Sequence, residues 1–231
     1  MKSYKHIFFD LDHTLWDFDT NSRNTLEELY HHFELLESGV EDLEEFIKKY
    51  KIINDRYWKY YRQQKVTKEQ LRVGRFRDAL LLFGIENSQL AAEIDEFYVS
   101  RNPYHKVLMP HTFDILDYLH EKGYQMHIIS NGFKEIQHIK IKNSGLDKYV
   151  HSIILSESIG YQKPHAKIFE YALKDSGAKV EESIMVGDNY EADIEGAIKY
   201  GMDAIFYNQE NQTVSDKICC ITSLIELKKY L

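Results

Sequence analysis

Residues Ile7-Phe8-Phe9 read as a buried strand that stops at Asp10, and strand character does not return until Gln125–Ser130. Between them the chain shows only helical periodicity. Leu26, Leu29, Phe33 and Leu36 form one apolar stripe. Leu43, Phe46, Ile47, Tyr50, Ile53, Tyr57 and Tyr61 form a second, longer one. A third carries Leu71, Phe76, Leu80 and Leu81, and a fourth Leu90, Ile94, Phe97 and Tyr98. Ser38-Gly39, Gly84 and Asn102-Pro103 punctuate them. A lone strand at residues 5–10 needs partners to satisfy its backbone, and only the later part of the chain supplies them. The helical stretch is therefore an insertion between the first strand and the rest of its sheet.

From about Val107 helices and strands alternate. The pattern predicts strands at Gln125–Ser130, Ser152–Leu155, Ile184–Val186, Ala204–Tyr207 and Ile218–Ile221. Helices are predicted over Pro110–Glu121, Lys134–Ser144, Ala166–Ser176 and Glu191–Tyr200. Strands alternating with helices of this length imply a parallel sheet. Right-handed crossovers bring the carboxyl ends of its strands to one edge, where ligands bind in open α/β sheets.

Composition narrows the function classes. The 231-residue chain is 43% hydrophobic and 29% charged, typical of a globular protein with a sizeable core. Its formal charge of −8 argues against nucleic acid as a partner, because phosphate backbones are held by basic faces. The basic and aromatic mixture of Lys48–Arg62 is accordingly read as a solvated helix face. Cys219 and Cys220 are sequence neighbours without zinc-ligand spacing, as expected of small core residues in a reducing compartment. The N-terminus runs straight into the first strand with no room for a signal peptide, and no apolar run spans a bilayer, so a cytoplasmic, membrane-free protein is expected. The eleven histidines show no metal-ligand pattern, and Glu135 and His138 are read as surface residues.

Chemistry concentrates just past the predicted strands. Asp10 and Asp12 follow the first, Ser130-Asn131-Gly132 the second and Gly187-Asp188-Asn189 the fourth, while Lys163-Pro164 lies before a helix. Two aspartates at a strand end are poor structural choices, since like charges held together need a cation, a proton or hydrogen bonds. Three carboxylates, a hydroxyl and a lysine at one edge suit magnesium and phosphate. Mg²⁺ takes oxygen ligands and shares them with substrate phosphates, while a lysine balances phosphoryl charge.

Asp10-Leu11-Asp12-His13-Thr14-Leu15, Ser130, Lys163-Pro164, and Gly187-Asp188 with Asp193 resemble, in order and spacing, the four motifs of the haloacid dehalogenase superfamily of aspartate-nucleophile phosphatases. The resemblance covers essentially the whole chain. It implies an α/β fold with a Rossmann-like core, residues 1–15 plus 107–231, whose parallel sheet has helices on both faces. It also implies an inserted helical cap domain, residues 16–106. Asp10 is the implied nucleophile, forming a transient aspartyl-phosphate, and Asp12 the general acid and then base. Asp10, Asp188 and the backbone carbonyl of Asp12 are the implied magnesium ligands, with Asp193 behind them. Ser130, Asn131 and Lys163 are the implied phosphate-binding residues.

Asp12 also separates branches. The family's dehalogenases lack an acid there, and its sugar-phosphate mutases usually carry Gly-Val where this chain has His13-Thr14. The flanks, Trp16-Asp17-Phe18 with Asn21-Ser22, Tyr57-Trp58-Tyr61, Val66-Thr67-Leu71-Arg75-Phe76 and Ser130-Asn131-Gly132-Phe133, look most like the 5′-nucleotidase branch that favours pyrimidine nucleoside monophosphates. Trp58, Tyr61 and Arg75 are the implied specificity residues of the cap, since aromatics and an arginine suit a stacked base and its carbonyls. Tyr50 and Tyr57 are read as packing. One departure is Pro110-His111, where the family commonly has Pro-Gly. The expected partner is a small phosphorylated metabolite, a nucleoside monophosphate first, handled by a monomer or weak dimer. The alternatives are phosphoglycolate, a sugar phosphate, or a non-catalytic phospholigand-binding role.

Overall fold

The computed structural model describes residues 3–231. Among these residues six parallel strands form one sheet: β1 (His6–Phe9), β2 (Gln125–Ser130), β3 (Val150–Leu155), β4 (Ser183–Gly187), β5 (Asp203–Tyr207) and β6 (Cys219–Ile221). Their spatial order is β3-β2-β1-β4-β5-β6, so the first strand lies at the centre and the order reverses beside it. In register, Phe9 pairs with Ile128 of β2 and Val186 of β4, which brings Asp10, Ser130 and Gly187 to the same edge.

Strands this apolar on both sides need helices on both faces. On one face Ile7, Phe9, Ile128 and Val186 pack with Ile115, Leu116 and Leu119 of α5 (Thr112–Glu121, named in chain order). On the other, Phe8, Ile129 and Met185 pack with Ile168 and Phe169 of α8 (Ala166–Ser176) and Ala197 of α9 (Gly196–Tyr200). The sheet is parallel, as the alternation implied, and the core is Rossmann-like, as the family resemblance implied. α6 (Lys134–Asn143) follows β2, and the short α7 (Ser156–Ile159) follows β3. Cys219 and Cys220 are half-buried on β6 and not disulfide-bonded.

Asp19–His105 forms a separate compact unit from the rest of the chain. It carries most of α1 (Phe18–His32), then α2 (Leu43–Arg62), α3 (Lys68–Leu81) and α4 (Ser88–Arg101). Side chains capping orphan N–H groups set the helix starts. Asp42 accepts from the N–H groups of Glu44 and Glu45, Thr67 and Gln70 form a capping box, and Asn87 accepts from Leu90. Phe46, Tyr50, Leu71, Phe76 and Ile94 fill its interior. Among the described residues no helix is long and apolar enough to cross a membrane.

Strand ends shift by one or two residues from the periodicity, and two helix starts differ from it. α5 begins at Thr112 rather than Pro110, because His111 adopts a left-handed conformation (φ 66°). That is the position where the family commonly places glycine, the residue for which such a backbone carries no steric penalty. The helix expected over Glu191–Tyr200 opens instead as a wide π-helical turn, Tyr190–Glu195, before α9. There the Asp193 carboxylate turns back to accept from the Asn189 N–H at 3.0 Å, and the Asn189 side chain accepts from the Ala192 N–H at 2.9 Å.

Candidate active site

Each site residue sits at the first polar position after an apolar strand or in the loop that follows. Asp10 leaves β1, Ser130 ends β2, and Asp188 follows Gly187 at the end of β4. Lys163 precedes α8 and is buried, with Nζ reaching back across the sheet edge. It lies 2.5 Å from Asp10 Oδ1 and 2.7 Å from Asp193 Oδ1, and donates to the Ile129 carbonyl at 2.7 Å. Burial works against the lysine's charge, but the two carboxylates hold it protonated well above the ordinary lysine range.

Asn131 acts on Lys163 through its side chain. Its amide donates to the Lys163 carbonyl at 3.0 Å and accepts the Lys163 N–H at 2.8 Å, clasping the two loops. The Ser130 hydroxyl oxygen accepts from the Gly132 N–H at 3.0 Å. The Thr14 hydroxyl donates to Asp188 Oδ1 at 3.1 Å, which adds a contact between the β1 and β4 loops.

Oxygen atoms of Asp10, Asp188 and Asp193 lie within 4.8 Å of one another. Burial, then repulsion from Asp193, raises the Asp188 carboxyl to about 8. Asp10 is pushed well up by burial as well, the Lys163 charge opposing the shift and Asp193 and Asp188 adding to it. Asp193 Oδ1 has no well-aligned hydrogen bond even though Lys163 is close. Three carboxylates, Asp193 buried and the other two partly so, face one ammonium and leave an excess of negative charge and oxygen lone pairs, a donor set that fits a magnesium ion. Asp193 stands with Asp10 and Asp188 in this group, while its own contacts run to Lys163 and to the Asn189 N–H.

Asp12 belongs to a separate arrangement. Its Oδ1 accepts from Lys140 Nζ at 2.6 Å and its Oδ2 from Gln137 Nε2 at 2.6 Å. Burial favours the neutral acid, but the Lys140 charge and these donors outweigh it and hold the Asp12 carboxyl below the usual range. Gln137 and Lys140 are both on α6 and both buried, and neither belongs to the motifs singled out in the sequence. They lie on a buried helical stripe with Ile141 and Ser144 that is mostly polar, so no apolar periodicity marks it as interior.

The helical unit yields one correction. Arg75 was expected to face a substrate base, but only 3% of it is exposed. Its guanidinium donates to Asn54 Oδ1 at 3.1 Å and to Asp95 Oδ1 at 3.3 Å, over the Tyr98 ring. A charge placed inside a helix bundle must find its partners there, and α2 and α4 supply them. Trp58 and Tyr61 are half-buried on α2, with their rings edge to face at 5.8 Å. Tyr50 and Tyr57 are buried as packing residues.

Residues 7–207 match the model of the haloacid dehalogenase-like hydrolase family. The chain belongs to that family. Relatives of this haloacid dehalogenase-like hydrolase include the pyrimidine 5′-nucleotidase PynA of Streptococcus pneumoniae, 34% identical over 215 residues, which are 91% of this chain and 87% of PynA. The pyrimidine 5′-nucleotidase YjjG of Escherichia coli is 29% identical over 229 residues, 97% of this chain and 96% of YjjG. Among solved structures, the magnesium-bound HAD-hydrolase YfnB of Bacillus subtilis matches the hydrolase described here with a TM-score of 0.89 at 26% identity, covering 100% of this chain and 99% of that one.

Proposed function

We propose that this chain is a magnesium-dependent phosphomonoester hydrolase that works through an aspartyl-phosphate and prefers pyrimidine nucleoside 5′-monophosphates. The observation that carries the reading is the pairing of two unlike carboxylates two residues apart. Asp10 lies against Lys163 and two further aspartates, while Asp12 is held apart by Gln137 and Lys140. Binding alone calls for neither a nucleophile nor an acid–base partner; a two-step displacement calls for both.

In the first step an Asp10 oxygen attacks phosphorus, the bond from phosphorus to the leaving oxygen breaks, and Asp12, which takes up a proton from solvent when the anionic substrate binds, gives that proton to the leaving oxygen. In the second, Asp12 takes a proton from water as the water attacks the same phosphorus. Inorganic phosphate leaves and Asp10 is restored. Lys163 and the Ser130 hydroxyl neutralise and orient the phosphoryl oxygens, the electrostatic share of the catalysis. Asn131 keeps Lys163 in place. Magnesium, held by Asp10, Asp188 and the Asp12 carbonyl with Asp193 beside them, supplies positive charge that lets an anionic nucleophile meet an anionic phosphate.

The nucleotide preference is supported by the two named pyrimidine 5′-nucleotidases among the relatives and by the exposed parts of Trp58 and Tyr61, which offer a base an aromatic surface. A panel of phosphomonoesters assayed with magnesium and with EDTA tests both parts. Turnover is expected to vanish in EDTA. At least about a tenfold advantage in kcat/KM is expected for pyrimidine nucleotides over phosphoglycolate and sugar phosphates, roughly 1.4 kcal/mol of discrimination. A flat panel would remove the nucleotide assignment, and full activity in EDTA the metal.

A further inference from the structure

Gln137 and Lys140 form a two-donor cradle on one face of α6, and between them they take both oxygens of Asp12 at 2.6 Å each. The Gln137 amide nitrogen is shared with the Ser130 hydroxyl oxygen at 2.7 Å, so one side chain joins the phosphate-binding serine to the acid–base aspartate. The Lys140 ammonium lies 4.0 Å from the centroid of Trp16 and 5.3 Å from that of Phe18, and 3% of the residue is exposed. Gly132 leaves room for this, because a Cβ there would stand 2.0 Å from Gln137 Nε2.

A fully buried glutamine whose carbonyl oxygen has no hydrogen-bond partner is costly for stability alone. Flipping the amide would aim its oxygen at the Asp12 carboxylate, so the aspartate dictates which end faces it. We infer that Gln137 and Lys140 are positioning residues: from α6 they fix the Asp12 carboxylate in the orientation from which it passes a proton to the leaving oxygen and later takes one from water. Each Asp12 oxygen keeps a second lone pair beyond the one its α6 donor occupies, and that lone pair carries the transferred proton. Because Gln137 also bonds Ser130, the seating of the phosphoryl group and the aim of Asp12 are joined through one amide.

The inference rests on the phosphatase reading, and leaving-group chemistry separates the two. Single-turnover release, with holoenzyme in excess over substrate and magnesium present, is followed for a pyrimidine nucleoside monophosphate and for 4-nitrophenyl phosphate. An alkoxide needs a proton to depart, whereas 4-nitrophenolate leaves without one. In Lys140→Met, nucleoside release is expected to slow at least tenfold while 4-nitrophenolate release stays within threefold of wild type. Gln137→Leu, which leaves the lysine in place but also removes the donor to Ser130, is expected to slow both releases, the nucleoside at least tenfold more than 4-nitrophenolate, and it decides the matter should Lys140→Met fail to fold. Lys140→Arg, which keeps a charged donor, is expected to recover part of the nucleoside rate. Equal slowing of both releases, or no slowing of either, would overturn the inference and make the cradle a plain structural ion pair. A wild type that releases neither product would overturn the phosphatase reading, and the inference with it.

Discussion

Lys163 Nζ lies 2.5 Å from Asp10 Oδ1 and 2.7 Å from Asp193 Oδ1, so one buried ammonium is the shared counter-charge of two carboxylates. Lys163→Met removes that charge and leaves three carboxylates facing one another. Breaking a buried pair costs on the order of 3–5 kcal/mol, so a marked fall in the denaturation midpoint is expected in EDTA. Magnesium should restore part of it, because a ligand bound by the folded state stabilises it. The fall in kcat should be at least about a hundredfold, the scale of losing a preorganised electrostatic partner. Denaturant titrations with and without magnesium, together with steady-state turnover, check both.

The helical unit holds its own buried charge cluster. Asp95 accepts from Arg72 Nε at 2.7 Å and from Arg75 at 3.3 Å, with only the Arg72 side chain partly open to solvent. Asp95→Ala leaves a buried guanidinium without its carboxylate and is expected to cost roughly 3–5 kcal/mol of stability. If Arg75 is structural, as its burial indicates, Asp95→Ala protein still folded at low temperature should keep its KM for nucleotide within about threefold, a difference of roughly 0.7 kcal/mol. Denaturant unfolding and steady-state kinetics on one preparation measure the two effects.

A buried histidine chain predicts acid sensitivity remote from the reacting groups. His127 shares a hydrogen bond with His6 at 3.1 Å and another with the Ser152 hydroxyl at 2.8 Å, under the Phe8 ring. Burial, then repulsion from His6 and His151, lowers its pKa from 6.5 to about 3. The unfolded chain therefore takes up this proton below pH 6.5 while the folded one does not. Stability from this group is intact above pH 6.5 and declines as the pH falls toward 3, by at most about 1.4 kcal/mol per pH unit. His127→Gln should flatten that slope in melts recorded between pH 7 and pH 5.

His111 occupies a left-handed backbone position at the start of α5, and its ring hydrogen-bonds Asp114 at 2.8 Å on the surface. Glycine removes the steric penalty of that backbone, roughly 1 kcal/mol, and loses only an exposed contact. His111→Gly is expected to raise the melting temperature slightly and to leave kcat/KM unchanged. A melting temperature lowered by several degrees would mean that the Asp114 contact outweighs the backbone strain.

How much of this was legible in the sequence depends on whether a residue's role is local. Asp10, Ser130 and Asp188 could be placed because each follows an apolar run whose end the hydropathy marks, and a parallel sheet brings such ends together. The breaks at Gly84 and Asn102-Pro103 fall close to the ends of α3 at Leu81 and α4 at Arg101, whereas α1 ends at His32, well before Gly39, and leaves Phe33 and Leu36 of the apolar stripe in turns. Gln137 and Lys140 could not be placed, since on a helix such residues ordinarily face water, and only packing against Asp12 and Trp16 makes them interior. Arg75 failed in the opposite sense. Its type suggested a ligand contact, while its partners, Asn54 and Asp95, lie on other helices at sequence separations that no periodicity reveals. The π-helical turn at Tyr190–Glu195 was hidden too, because it depends on Asp193 folding back onto the Asn189 backbone.

The central claim is that Asp10 is the nucleophile, and turnover by Asp10→Asn tests it most directly. Without the attacking carboxylate, kcat for a nucleoside monophosphate should fall by at least about ten-thousandfold, roughly 5.5 kcal/mol. Because burial and two neighbouring aspartates disfavour an ionised Asp10, the melting temperature in EDTA should hold or rise. Asp10→Asn protein that keeps turnover within about tenfold of wild type, roughly 1.4 kcal/mol, would contradict the account.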